Sequence, residues 1–301
     1  MIKITFLGTS GSVPTKSRSL PSVAVTYEGK TLLFDCGEGT QRQAMRYGIN
    51  ISSIKAIFIT HMHLDHVIGI AGLVRTLALY RRTEPLYVFV PKGEEKGITA
   101  LLNFDKALIS YKIIIKPVKA GEVFEDKEFS VDAIKLNHTV PAYGYVFKER
   151  DKLRFMKERC RSLGIKGRMF SELLKRKSIR LKNGKTVRIG EVTYTEKGMR
   201  IAYVTDSRPS KDVEKAARGV ELLIHEATFA DAHRKLAIER KHSTAREAAE
   251  VAKSAGAKRL LLFHFSVRYK NTATLIKEAK KVFENVQAAK DGMEIVLQKG
   301  T

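Results

Sequence analysis

The stretch FITHMHLDHVIG, residues 58–69, places His61, His63, Asp65 and His66 within six positions. It follows directly on the apolar run IKAIFI, residues 54–59, which reads as a buried strand. Side chains at these spacings cannot all face one side of a regular helix or strand. On a loop at the end of a strand they can converge on one point. Core histidines usually come singly, so four titratable groups crowded at a strand end point to a metal site rather than to packing.

Matching groups recur along the chain. His138 follows VDAIKLN, Asp206 follows RIAYVT, and His264 follows RLLLF. Each lies at the C-terminal end of a β-rich run, the edge where layered α/β folds build their sites. The set supplies nitrogen and oxygen donors for two divalent metals, with a carboxylate able to bridge. Such donors suit zinc best, and manganese or iron are also accommodated. Asp35, after TLLF, is placed either to hydrogen-bond a ligating imidazole or to cap the helix begun near Glu38.

The 301 residues alternate short β-rich runs with helical patterns, an α/β class. One helix is expected through HVIGIAGLVRTLALY. Another, in STAREAAEVAKSAG, is capped by Ser243 or Thr244, with Glu247 completing a capping box and Gly256 ending it. Hydrophobic content of 44% is ordinary, and no run reaches the roughly 18 apolar residues of a membrane span. MIKITFLGTS at the N-terminus has no signal-peptide pattern, and two cysteines, Cys36 and Cys160, give no disulfide framework. A cytoplasmic location is expected.

The formal net charge is +23, which points to a polyanionic partner, nucleic acid foremost. About half of it is concentrated in residues 148–190, where sixteen Lys or Arg face four acidic residues. With few apolar positions to bury, this segment reads as an arm inserted in a single domain spanning 1–301, or as a long surface excursion.

THMHLDH with a later His, Asp and final His resembles the signature of the metallo-β-lactamase superfamily, an αββα four-layer sandwich. FLGTSGSVPT, LLFDCGEGTQRQ, YVTDSRP, LIHEATF, KHSTAREAAEVA and LLLFHFSVRY resemble more narrowly the tRNase Z family. These motifs cover nearly the whole chain apart from the basic segment. The resemblance implies a zinc-dependent endoribonuclease that removes the 3′ trailer from precursor tRNA, working as a homodimer. It implies two Zn2+ per subunit: His61, His63 and His138 on one, Asp65, His66 and His264 on the other, and Asp206 bridging. Asp65 would orient or deprotonate the attacking water. His242 of HST, steadied by Glu226 of HEAT, would protonate the departing oxygen, the alternative being a buried pair that only holds two helices together.

Just past His264, Arg268 offers a phosphate contact, and Tyr269 either a stacking platform or an ordinary half-buried ring. The family's arm grips tRNA far from the scissile bond, which assigns that contact to Lys166, Arg168, Lys175, Arg176 and Lys177 here. The arm lacks the family's proline knuckle, and Ser19 stands where the family commonly has Asn. The other readings are a small-substrate superfamily hydrolase, a phosphodiesterase of small nucleotides, and a binding protein with structural metal. The first needs no basic insertion, the second would leave the metal site unchanged, and a closed structural zinc site is usually rich in cysteine.

Overall fold

The computed structural model describes residues 1–103 and 109–299. The chain divides into two compact units, Met1–Lys148 with Arg200–Thr301, and Glu149–Met199.

The first unit is built on two seven-stranded sheets. One runs in the order Glu294–Leu297, Ile2–Gly8, Ser22–Tyr27, Lys30–Phe34, Ile54–Phe58, Leu86–Pro91, Ile113–Val118. Its first half is antiparallel, turned at Glu28–Gly29, where both residues take positive φ as a tight hairpin requires. From Lys30–Phe34 onward the strands are parallel. The other sheet runs Val286–Ala288, Leu260–Phe263, Leu222–Glu226, Arg200–Val204, Tyr143–Glu149, Phe129–Lys135, Gly121–Glu125. Its first four strands are parallel. Parallel strands deliver their C-terminal ends to one edge, and those ends carry Asp35 and His61 in one sheet, and Asp206, Glu226 and His264 in the other.

Aromatic rings fill the space between the sheets. Phe58 stacks on Phe34 at 5.3 Å and meets Tyr145 of the other sheet at 5.2 Å, while Phe34 lies 5.7 Å from Tyr203. Each buried ring of this kind contributes about 1.5–3 kcal/mol through area removed from water. Helices Thr40–Arg46, Ile70–Leu79 and Glu95–Leu102 pack on the outer face of the first sheet. Lys211–Ala216, Ala245–Ala255 and Ala273–Lys280 pack on that of the second. The result is the αββα sandwich expected from the sequence. Ala245, Ala248, Ala249, Ala252 and Ala255 are all buried, and their small side chains let the backbone approach the strands closely. Thr244 and Glu247 form the expected capping box, and Gly256 ends the helix at φ 61°.

The helix expected through HVIGIAGLVRTLALY is in fact two, Leu64–Val67 and Ile70–Leu79. Between them Gly69 donates its N–H to the Cys36 carbonyl at 2.9 Å, and a Cβ there would lie 2.0 Å from the Gly37 oxygen. A contact made by bare backbone interrupts what periodicity reads as continuous. No described helix is long and apolar enough to cross a membrane.

In the second unit, strand Lys152–Phe155 pairs with Thr193–Glu196, and Ser178–Arg180 with Thr186–Arg188 about the Asn183–Gly184 turn. Helices Lys157–Ser162 and Arg168–Arg176 lie between. The unit runs to Met199, past the expected end at 190, because the Thr193–Glu196 strand returns to pair. It also has a core of its own, contrary to the expectation of few buried apolar positions. Cys160, Ile165, Leu173, Ile179, Leu181, Val187 and Val192 are buried together, with Phe155 and Phe170 rings 4.8 Å apart beside them. Leu173 apart, each of these residues is flanked by charged, polar or glycine residues, so no apolar run announces them.

Candidate metal centre and catalytic site

The strand ends bring the seven sequence-predicted ligands together. His61, His63, His138 and Asp206 form one group able to hold a metal ion, and Asp65, His66 and His264 form another. Asp206 faces both with different oxygens. Its Oδ2 lies 3.6 Å from His61 Nε2 and 3.8 Å from His138 Nε2, while its Oδ1 lies 3.1 Å from His264 Nε2 and 3.5 Å from His66 Nε2. Asp65 Oδ2 lies 3.5 Å from His66 Nε2 and 3.8 Å from His264 Nε2. His63 Nδ1 closes the first group, 3.0 Å from His61 Nε2 and 3.4 Å from His138 Nε2.

The far nitrogen is tied down in four of the five imidazoles, those of His61, His66, His138 and His264. His66 Nδ1 reaches Asp35 Oδ2 at 2.8 Å, and His61 Nδ1 reaches Thr60 Oγ1 at 3.0 Å. Thr60 in turn gives its hydroxyl proton to Asp35. His138 Nδ1 lies 3.2 Å from the Lys241 carbonyl, and His264 Nδ1 lies 2.9 Å from Thr228 Oγ1. With their Nδ1 protons donated outward, these rings present Nε2 lone pairs to one another, which is repulsive unless a cation lies among them. Donors bonded at about 2.0–2.1 Å to one tetrahedral ion stand about 3.4 Å apart, close to the spacings found here. The donor set therefore fits divalent metal.

Asp35 is fully buried, and Gly39 rather than Asp35 is the N-cap of the nearby helix. Of its two sequence readings, the structure gives the one in which it orients an imidazole. Asp35, Asp206 and His264 take φ of 60°, 34° and 58°, a region side chains rarely adopt, and all three stand where a strand breaks off to aim a functional group.

Electrostatics agree with the geometry. Burial holds His61 well below the usual imidazole range, with His66 adding to it. Burial opposes charge on His66 too, but Asp206, Asp35 and Asp65 outweigh it and raise this imidazole to about 10. Burial likewise works against ionisation of Asp206, yet His264 and His66 hold it well below the usual carboxylate range. Carboxylates kept ionised in a buried, imidazole-lined pocket call for positive charge beside them.

Beside the ligands, His242 Nδ1 meets Glu226 Oε1 at 3.0 Å, so these two sequence-predicted residues are brought together. His242 is one-tenth exposed and Glu226 not at all. Burial lowers the His242 pKa, but Glu226 and Asp206 more than offset it and lift the group to about 9. His242 also falls in a third group with Asp206 and His264. Arg208, unremarked in the sequence, donates to the His242 carbonyl at 2.5 Å and to Glu247 at 2.8 Å, fixing the loop that carries the imidazole. Ser12 takes φ of 61° and points its N–H at Asp65 Oδ2, 2.8 Å away.

Arg268 is exposed, its guanidinium 5.4 Å from the Phe229 ring. Tyr269 is half-buried, and its hydroxyl is engaged by the Ala230 N–H and His233 Nδ1, each at 2.8 Å. Lys166, Arg168, Lys175, Arg176 and Lys177 are exposed residues of the Glu149–Met199 unit.

Residues 20–151 match the metallo-beta-lactamase superfamily model, and residues 163–265 a beta-lactamase superfamily domain. The chain is 39% identical to the ribonuclease Z of Methanothermobacter thermautotrophicus, covering 98% of this chain and 96% of that one. It is 41% identical to the ribonuclease Z of Gemmatimonas aurantiaca, covering 98% and 95%. Human tRNase Z, short form, superposes with a TM-score of 0.72 at 27% identity, covering 99% of this chain and 100% of that one. With ligand groups able to bind divalent metal at the shared strand ends and relatives of this likeness along nearly its whole length, the chain belongs to the ribonuclease Z family of metal-dependent hydrolases.

Proposed function

We propose that this chain is a zinc-dependent endoribonuclease that removes the 3′ trailer from precursor tRNA. The products are a tRNA with a 3′-hydroxyl and a trailer with a 5′-phosphate. The observation that carries the reading is the pairing, in one site, of two ligand groups joined through Asp206 with the Glu226–His242 couple.

His61, His63, His138 and Asp206 would hold one Zn2+, and Asp65, His66, His264 and Asp206 the other; manganese or iron would suit the same donors. Two such cations, when bound, supply Lewis acidity to the attacking water and neutralise charge on the scissile phosphate. Asp65, fixed by the Ser12 N–H, orients that water and takes its proton. Glu226 holds Nδ1 of His242, so the ring's Nε2 edge is the one that hands a proton to the departing 3′ oxygen. Arg268 binds a backbone phosphate of the substrate. Tyr269 offers the face of its ring to a base while its hydroxyl stays engaged.

The basic unit supplies affinity for tRNA. Lys166, Arg168, Lys175, Arg176 and Lys177 contact tRNA phosphates, releasing counterions. The working form is a cytoplasmic homodimer. Incubation of zinc-loaded enzyme with a 5′-labelled precursor tRNA, with both new ends mapped, tests the reading. A single cut after the discriminator nucleotide supports it. Binding without cutting, together with hydrolysis of a small phosphodiester, would leave the metal site and remove the substrate.

A further inference from the structure

Two buried carboxylates at the ends of strands in the two sheets are surrounded in the same way. Asp35 Oδ1 accepts the N–H of Thr60 at 2.8 Å and its hydroxyl at 2.9 Å, while Oδ2 accepts Tyr203 O–H at 2.9 Å and His66 Nδ1 at 2.8 Å. Glu226 Oε2 accepts the N–H of Thr228 at 3.1 Å and its hydroxyl at 2.6 Å, while Oε1 accepts the Ser207 N–H at 2.8 Å and His242 Nδ1 at 3.0 Å. Each threonine oxygen then meets a second imidazole. Thr60 Oγ1 lies 3.0 Å from His61 Nδ1, and Thr228 Oγ1 lies 2.9 Å from His264 Nδ1. In each half, then, one carboxylate holds one histidine directly and another through a threonine hydroxyl.

We propose that Thr228 is a positioning residue that extends Glu226 to the metal ligand His264, so that one carboxylate sets both a ligand and the proton donor His242. The hydroxyl has one proton. The ionised carboxylate, 2.6 Å away, takes it in preference to the His264 carbonyl at 3.1 Å. The oxygen is thereby left to accept from His264 Nδ1–H. That fixes the tautomer and turns the Nε2 lone pair toward Asp206 and His66. The two halves differ in the fourth donor, the Tyr203 hydroxyl on Asp35 against the Ser207 N–H on Glu226, and in the role of the directly held histidine, a ligand in the first, His66, and the proton donor in the second, His242. The inference rests on the ligand and donor roles given to His264 and His242 above.

The test uses zinc itself as the probe. Metal-free full-length chain is titrated with zinc against a chromophoric chelator, and the binding constants of the successive equivalents are compared among wild type, Thr228→Val and Thr228→Ser. Thr228→Val is expected to weaken one of two equivalents by about 10- to 100-fold, and Thr228→Ser to restore it. On precursor tRNA, Thr228→Val is expected to lower kcat and hold KM. If Thr228→Val binds both equivalents as wild type does, the proposal is overturned and the side chain only fills space. If Thr228→Ser is weakened as much as Thr228→Val, the hydroxyl is not the operative group and the proposal again fails. Should Thr228→Val not fold, as read by circular dichroism, Thr228→Ala replaces it on the same constants. The titration needs no RNA, so failure of wild type to cut precursor tRNA would overturn the ribonuclease reading without touching this result.

Discussion

Asp35 and His66, 31 positions apart, meet at 2.8 Å with neither side chain exposed to solvent. The carboxylate fixes which imidazole nitrogen faces the cluster, and through Thr60 it does the same for His61. Asp35→Asn keeps the shape and removes the charge. It is expected to weaken metal binding by about 10- to 100-fold, as loss of such partners does. Competition with a chelator measures this, and unchanged affinity would detach Asp35 from the metal site.

Gly11 lies against the ring of His264: a Cβ on it would sit 2.5 Å from Cε1. The backbone here is pinned by parallel pairing of Ser10–Gly11 with Phe265–Ser266, so the ring rather than the strand has to give way. Gly11→Ala is expected to cut kcat by about 10²-fold, the cost of misplacing a site by about 1 Å through the ligand His264. A crystal structure of the variant with an unmoved ring, or full activity, would contradict this.

Much of the site was legible because its chemistry is local. His61, His63, Asp65 and His66 fall within six positions, on a strand end and the helical turn Leu64–Val67 that follows it, and His138, Asp206 and His264 each follow a strand that hydrophobic runs reveal. What was not legible depends on three-dimensional approach. Thr60 and Thr228 are ordinary residues until the strand ends place their hydroxyls between a carboxylate and an imidazole. The positive φ of Asp206 and His264 has no sequence signature, since neither is glycine. The break at Gly69 comes from backbone meeting backbone, and the core of the Glu149–Met199 unit from apolar residues spaced too widely to form a pattern.

The Glu226–His242 pair makes a distinct kinetic statement. His242→Ala is expected to lower kcat on precursor tRNA by about 10²–10⁴-fold, the range for a lost general acid. A substrate with sulfur in place of the scissile 3′ oxygen has a leaving group that needs no proton. On it the variant is expected to approach wild type. An equal deficit on both substrates would assign His242 to structure or to metal binding instead.

Lys148 and Arg200 are register partners on adjacent antiparallel strands. Replacing residues 149–199 with Asn-Gly therefore closes a two-residue hairpin without disturbing the sheet. This shortened chain is expected to lose affinity for precursor tRNA and most of its dependence on salt, yet keep hydrolysis of a small phosphodiester. In the intact chain, Leu173→Ala is expected to destabilise the small core by about 2–5 kcal/mol and reproduce the tRNA defect in part. Equal losses on both substrates would make the unit necessary to the catalytic fold.

Asp206, through its two oxygens, joins two groups able to bind metal into one centre. The most direct measurement is metal content by elemental analysis of zinc-reconstituted wild type and Asp206→Ala, alongside precursor tRNA cleavage by each. Two zinc ions are expected per wild-type chain, with fewer in the variant and its cleavage reduced by orders of magnitude. Two tightly held ions and wild-type cleavage in Asp206→Ala would contradict this.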